Sequence, residues 1–220
     1  MRDPIGTLTQ EITVTLEGLL VVNTNTIRQI RREFSTRLRS ASSQFVIQLA
    51  SRLLRRREMA YRIVAYELIH YHTVALRSLK GKELERLGKG LDSWGAVDMF
   101  ACYLAGPAWR QEQVSDDLIG RWARSEDRWW RRAALVSTVP LNSRSRGGKG
   151  DAPRTLRICR MLAQDRDDMV VKAMSWALRE LAKRDPATVR SFTAKYKDQL
   201  PPRVLREVHN KLETGRKNLR

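Results

Sequence analysis

The segment SWGAVD, Ser93 to Asp98, places a tryptophan and a carboxylate four residues apart in a run that carries no other charge from Gly95 to Ala108. On a helix, positions i and i+4 share a face, so Trp94 and Asp98 project together, and Ala101, Cys102 and Ala105 continue the stripe in small side chains. A ring, an acid and the space left by small residues describe a binding surface. An aspartate buried there without a partner carries a large desolvation cost, so Asp98 must be neutral, paired or functional. The plainer alternative is an acid near a helix start, stabilised by the helix dipole.

Two further constellations carry chemistry. In WWRRAAL, Trp129 to Leu135, paired arginines follow paired tryptophans. Arg131 and Arg132 point different ways on a helix, so one reaches a phosphate while the other is solvated or meets an acid, and the planar guanidinium fork suits either bond. Against this stands an ion-paired surface arginine with the tryptophans in the core. In SWALRELAKRD, Ser175 to Asp185, Trp176 is followed at helical spacing by Arg179, Glu180 and Lys183. A lone helical tryptophan is usually core, and only its company with the other two motifs favours a functional role.

The elements that position these residues are helical. Apolar residues recur with helical period almost throughout and strand-type alternation is absent, so the chain is all-α. Expected helices cover 8–22, 25–38, 42–55, 58–72, 82–89, 94–104, 115–125, 127–139, 153–163, 168–183, 186–196 and 202–214. Ser93, Ser115 and Asp185 are expected caps, and Pro201 and Pro202 stand ahead of the last helix. The helices opening at Trp94, Trp130 and Val170 recur at intervals of about 40 residues, the range of HEAT-like units, so a single solenoid domain over 1–220 with a concave basic surface is expected. The stretch NSRSRGGKGDAP, Asn142 to Pro153, reads as a flexible loop whose Arg144, Arg146 and Lys149 grip phosphates once ordered. It is not a P-loop, because Lys149 is followed by Gly150 where Ser or Thr is required.

Composition bounds the partner. Lys and Arg number 42 against 24 acids in 220 residues, a net charge of +18, with 42% hydrophobic and 30% charged residues. Such a surplus selects a polyanion, and nucleic acid is favoured over membrane because no helix has the sharply split faces of an interfacial anchor. The N-terminus lacks a secretory pattern and no stretch is apolar enough to span a bilayer, so a cytoplasmic protein is expected, nucleoid-associated when bound to DNA. Cys102 and Cys159 form no CxxC motif, and neither a disulfide nor a metal site is expected. His70 and His72 lie on opposite sides of a helix rim and His209 is isolated, which is no ligand set.

The order SWGAVD, WWRRAAL, SWALREL resembles the AlkD-type DNA alkylation repair glycosylases, monofunctional enzymes built from HEAT-like repeats. The resemblance covers roughly 57–218, from REMAYRIVAYELI through DDMVVKAMSWALRELAKRDPATVRSF. It implies that Trp94 and Trp176 are the active-site tryptophans, Asp98 the catalytic aspartate, and Arg132 the arginine that holds backbone and acid. Ser93 stands where the family often has a first aromatic ring, and the family's aromatic, glycine-rich N-terminal segment is not evident before Asn25. The implied reaction is hydrolysis of the N-glycosidic bond of cationic N3- or N7-alkylpurines. Asp98 would stabilise the oxocarbenium-like sugar and orient water at C1′. The tryptophans would pack on the deoxyribose and attract the cationic base. Arg132, Arg131, Arg144, Arg146, Lys149, Lys172 and Arg179 would hold phosphates. The implied partner is duplex DNA containing alkylated purines, bound by a monomer on an open face and without a cofactor. Two other readings stand beside it: a non-catalytic HEAT-repeat protein that binds damaged or distorted duplex, and a scaffold for an acidic protein.

Overall fold

A computed structural model of the chain describes residues 3–218, and among them every regular element is helical. They group into two compact units that divide after Gly90.

The first unit contains α1 (Pro4–Glu17), α2 (Thr24–Arg37), α3 (Ser43–Leu53), α4 (Met59–Tyr71), α5 (Thr73–Ser78) and α6 (Gly81–Leu87). Its core is α4, in which every residue from Tyr61 to Ile69 is buried. Two of these are charged. Glu67 is tolerated because Arg28 and Arg31 of α2 donate to its two oxygens at 2.7 and 3.0 Å, and Arg62 donates to the carbonyls of Arg57 and Gly90. Helix α1 starts earlier than its apolar pattern suggests, because Asp3 accepts from the Gly6 N–H and Pro4 is preorganised for a first turn. It also ends earlier. Asn23 and Thr26 cap α2 reciprocally and the Thr26 hydroxyl donates to the Val21 carbonyl, so Leu19 to Val22 leave the helix.

The second unit contains α7 (Trp94–Phe100), α8 (Gly106–Arg110), α9 (Asp116–Ala123), α10 (Arg128–Val136), α11 (Val139–Asn142), α12 (Ala152–Met161), α13 (Asp168–Leu181), α14 (Pro186–Lys195) and α15 (Pro202–Thr214). The expected caps Ser93, Ser115 and Asp185 accept from Ala96, Leu118 and Thr188. Helix α10 lies centrally and packs against α7, α9 and α13, while α13 also meets α12 and α15. Phe100, Trp122 and Trp130 lock α7, α9 and α10 together with ring centroids 4.8 to 5.9 Å apart, so Trp130 is a packing residue.

Helix α7 runs past its expected end into α8 through a π turn, Ala101–Ala105. The cause is Pro107, which has no N–H and whose ring would clash with the Tyr103 carbonyl in a regular helix. The wider turn, in which the Gly106 N–H reaches the Ala101 carbonyl, makes room for it. Gly106 has a second duty. A Cβ there would come within 2.7 Å of the Ser137 carbonyl oxygen and of Pro140 Cγ, so the backbone of α8 lies directly on α11. Gly106→Ala is therefore expected to cost about 1–3 kcal/mol by overpacking, read from the denaturant midpoint. A loss below about 0.5 kcal/mol would show that Pro140 simply moves aside.

Candidate functional site

Three helices of the second unit converge on one guanidinium. Arg132, on α10, is buried with a side chain only 6% exposed. Its Nε and Nη2 donate to Asp98 Oδ1 and Oδ2 of α7 at 3.0 and 2.9 Å, a two-pronged pair, and its Nη1 donates to the Met169 carbonyl in the first turn of α13 at 2.6 Å. Arg131 points away. It pairs with Asp165 at 2.7 Å and donates to the carbonyls of Ser125 and Glu126, which hold the turn before α10. The geometry thus distinguishes the two arginines that the motif left side by side.

Asp98 keeps 20% of its side chain in water. Burial holds its carboxyl above the ordinary aspartate value of 3.8; the hydrogen bonds and charge of Arg132, then the charge of Arg146, pull downward without reversing this. A carboxylate has about four acceptor positions and Arg132 uses two, so Asp98 retains capacity for another donor or a nearby cation. One turn earlier on the same face, Trp94 is 62% exposed, an unusual position for so large an apolar ring. Cys102, one turn later, is buried with its thiol pushed up to about 12, so it is unreactive packing.

On α13, beyond its exposed first residue Asp168, the part-exposed residues form a stripe, Met169, Lys172, Trp176 and Arg179, at helical spacing. Trp176 is half-buried in that stripe. Its neighbours are engaged: Lys172 pairs with Asp168 at 2.6 Å, and Arg179 donates to Ser175 Oγ at 3.1 Å and lies 4.0 Å from Glu207 of α15. Arg179 is held mainly in the α13–α15 contact, where burial draws its pKa down.

The segment expected as a flexible loop is a pinned turn. Arg184 donates to the carbonyls of Asn142 and Gly148 at 2.8 Å each, and Arg110 donates to the carbonyls of Pro140 and Arg146. The Gly150 N–H returns to the Leu141 carbonyl, and buried Asn142 bonds to Thr138, Thr155 and Asp151. Gly148 serves contact, since a Cβ there would lie 2.6 Å from the Pro140 carbonyl oxygen. The turn carries Arg146 back over the Tyr103 ring at 5.3 Å, close enough for its charge to act on Asp98. Arg144 and Lys149 are exposed at its rim. Sequence reasoning placed Arg146 among loop cations but missed its approach to Asp98, and missed Arg110, Arg184 and Asn142 as the residues that impose it; no local signal marks them.

Because Asp98 binds its proton more tightly folded than unfolded, its contribution to stability falls as pH rises from 3.8 through its raised value. Removing the arginine pushes that carboxyl higher still. Arg132→Met is expected to cost about 3–5 kcal/mol at pH 7, at the lower end because Asp98 is partly hydrated, and the deficit should shrink on acidification as Asp98 takes up its proton. Chemical denaturation of both proteins at several pH values measures this. A deficit that does not change with pH would remove Asp98 as its source.

Among the described residues no helix is long and apolar enough to cross a membrane. No curated protein matches the chain. The family model described as DNA alkylation repair enzyme matches residues 17–212. With that match spanning most of its length and both of its compact units, the chain belongs to the DNA alkylation repair enzyme family.

Proposed function

We propose that this chain is a monofunctional DNA glycosylase of the AlkD type, which hydrolyses the N-glycosidic bond of cationic N3- or N7-alkylated purines in duplex DNA. The observation that carries the reading is Asp98: a partly buried carboxylate oriented by both prongs of Arg132, with the exposed ring of Trp94 one turn before it. Alkylation makes the base a cationic leaving group, so the bond breaks with positive charge developing on the sugar. A fixed carboxylate stabilises that charge without reorganising and can orient water toward C1′. Trp94 and Trp176 offer ring faces to the deoxyribose and to the cationic base. The exposure of Trp94 supports an open site, on which bulky adducts meet no wall. HEAT-like repeats, a monomeric state and Arg144, Arg146 and Lys149 as phosphate contacts belong to the same reading.

One observation favours the alternative of a protein that binds damaged duplex without excision: both Asp98 oxygens already accept from Arg132, as a purely structural pair would. Base release separates the two. Under single-turnover conditions, release of 7-methylguanine and 3-methyladenine from methylated duplex should fall by about 10²–10³ in Asp98→Asn while binding persists. The release rate of the unaltered protein should rise with pH through an ionisation above that of an ordinary aspartate, and uracil should stay in place. Release that survives in Asp98→Asn refutes the catalytic role; binding without release from either protein selects the alternative.

The cations that lack a carboxylate partner among the described residues should dominate the salt dependence of DNA binding. Arg144→Gln and Lys149→Gln are each expected to reduce the slope of log K against log salt by about 0.9, whereas Lys172→Gln, already neutralised by Asp168, should change it less. Equal slopes in all three variants would place the phosphates elsewhere.

A further inference from the structure

The turn between α1 and α2 presents its apolar side chains to water. Leu20 is fully exposed, and Val21 and Val22 beside it are mostly exposed. Single apolar residues on a surface are ordinary, but three in succession at the tip of a turn mark a contact surface. The tip is also fixed. The Leu19 N–H donates to the Leu16 carbonyl before it, and the Thr26 hydroxyl donates to the Val21 carbonyl after it, so Leu20 stands between two anchors.

Cations stand at the base of this turn. Arg56 donates to Glu17, the last residue of α1, at 2.6 Å, which brings the run from Arg55 to Arg57 beside the end of that helix. Leu20 follows Glu17 by three residues, a reach of about 10 Å at most. Arg56 is engaged there by Glu17 and feels the charge of Glu58. Arg55 and Arg57 are exposed and pair with no carboxylate among the described residues. Arg57 is strained as well, with φ at +61°, the left-handed conformation that glycine adopts most cheaply at a helix end. Buried Arg62 clamps it, donating from Nε to the Arg57 carbonyl at 2.7 Å and from Nη2 to the Gly90 carbonyl at 3.0 Å. The chain thus carries a guanidinium where glycine would fit without strain, and strain of this kind gathers at functional sites.

We propose that this turn is a wedge for duplex DNA: Leu20, backed by Val21 and Val22, enters between base pairs from the minor groove, while Arg55 and Arg57 meet the flanking phosphates. The proposal rests on the reading of the chain as a DNA-binding repair protein and is separate from the chemistry of Asp98. The unpaired arginines select an anionic partner, and three side chains are too few for a stable protein interface. Among anionic partners, DNA is the one that the family and the net charge of +18 support. A duplex offers both kinds of contact side by side, phosphates along the groove and apolar base faces once a step is opened.

Binding of the full chain to a short duplex with donor and acceptor dyes at its two ends tests the wedge. The unaltered protein is expected to bend the duplex and raise energy transfer. Leu20→Ser should abolish that rise and weaken binding about tenfold or more, whereas Val14→Ser, which removes another exposed apolar side chain on α1 outside the turn, should change neither. Arg57→Gly should lower the slope of log K against log salt by about 0.9 and yet melt no earlier than the unaltered protein, because it relieves the left-handed strain. Bending that survives in Leu20→Ser, or equal losses in Leu20→Ser and Val14→Ser, would overturn the wedge and leave DNA binding intact. No duplex binding by the unaltered protein would overturn the DNA reading and the wedge with it. Capture by vesicles of phosphatidylserine and phosphatidylcholine that Leu20→Ser abolishes, with duplex binding unchanged, would overturn the proposal in favour of a lipid surface.

Discussion

Arg132 is the joint of the second unit. One guanidinium on α10 closes a double bond to Asp98 on α7 and a third to the Met169 carbonyl on α13, so the helices bearing Trp94, Asp98 and Trp176 are registered against one another by a single planar group. A lysine cannot replace it, since a point charge has no fork to hold both oxygens and a carbonyl in fixed directions. The pair also offsets part of what burial costs the Asp98 carboxylate. Burial raises its carboxyl, and Arg132 and Arg146 supply the opposing field. A carboxylate fixed in this way is what the proposed chemistry requires, since it would stabilise a developing charge without reorganising.

The neighbouring backbone follows from the same requirement for close approach. Pro107 forces a π turn just after Asp98, Gly106 lets α8 lie on α11, and Gly148 lets the following turn fold against the backbone around Pro140. Arg110 and Arg184 then bond to that turn's carbonyls, so two cations are spent on architecture and a third, Arg146, is delivered toward the acid. The glycines that look like flexibility in the sequence are here places where a side chain would collide.

The large positive charge is therefore not uniformly available to a polyanion. Arg131, Arg132, Lys172 and Arg179 face Asp165, Asp98, Asp168 and Glu207 respectively, and Glu67 consumes two arginines in the first unit. Arg144 and Lys149 have no carboxylate partner among the described residues. This distribution makes the turn that also carries Arg146 the first place to seek the nucleic-acid contacts proposed above.

The all-α class, most helix positions, the caps at Ser93, Ser115 and Asp185 and the shared face of Trp94 and Asp98 were legible in the sequence, because each depends on residues within about one helical turn of one another. The limits of α1, the run of α7 through Pro107 and the short helices α5 and α11 were not, because caps, a π turn and packing overrode the apolar period there. The choice between Arg131 and Arg132 was not set by local pattern, since it rests on acids more than 30 residues away in the chain, and only the family resemblance singled out Arg132. The pinned turn around Arg146 was hidden for the same reason, since Arg184 reaches it from 42 residues away. The sequence alone determined which residues share a helix face, for that is local geometry; tertiary structure alone decided which charge meets which, because desolvation and the reach of a guanidinium act only once distant helices are packed together.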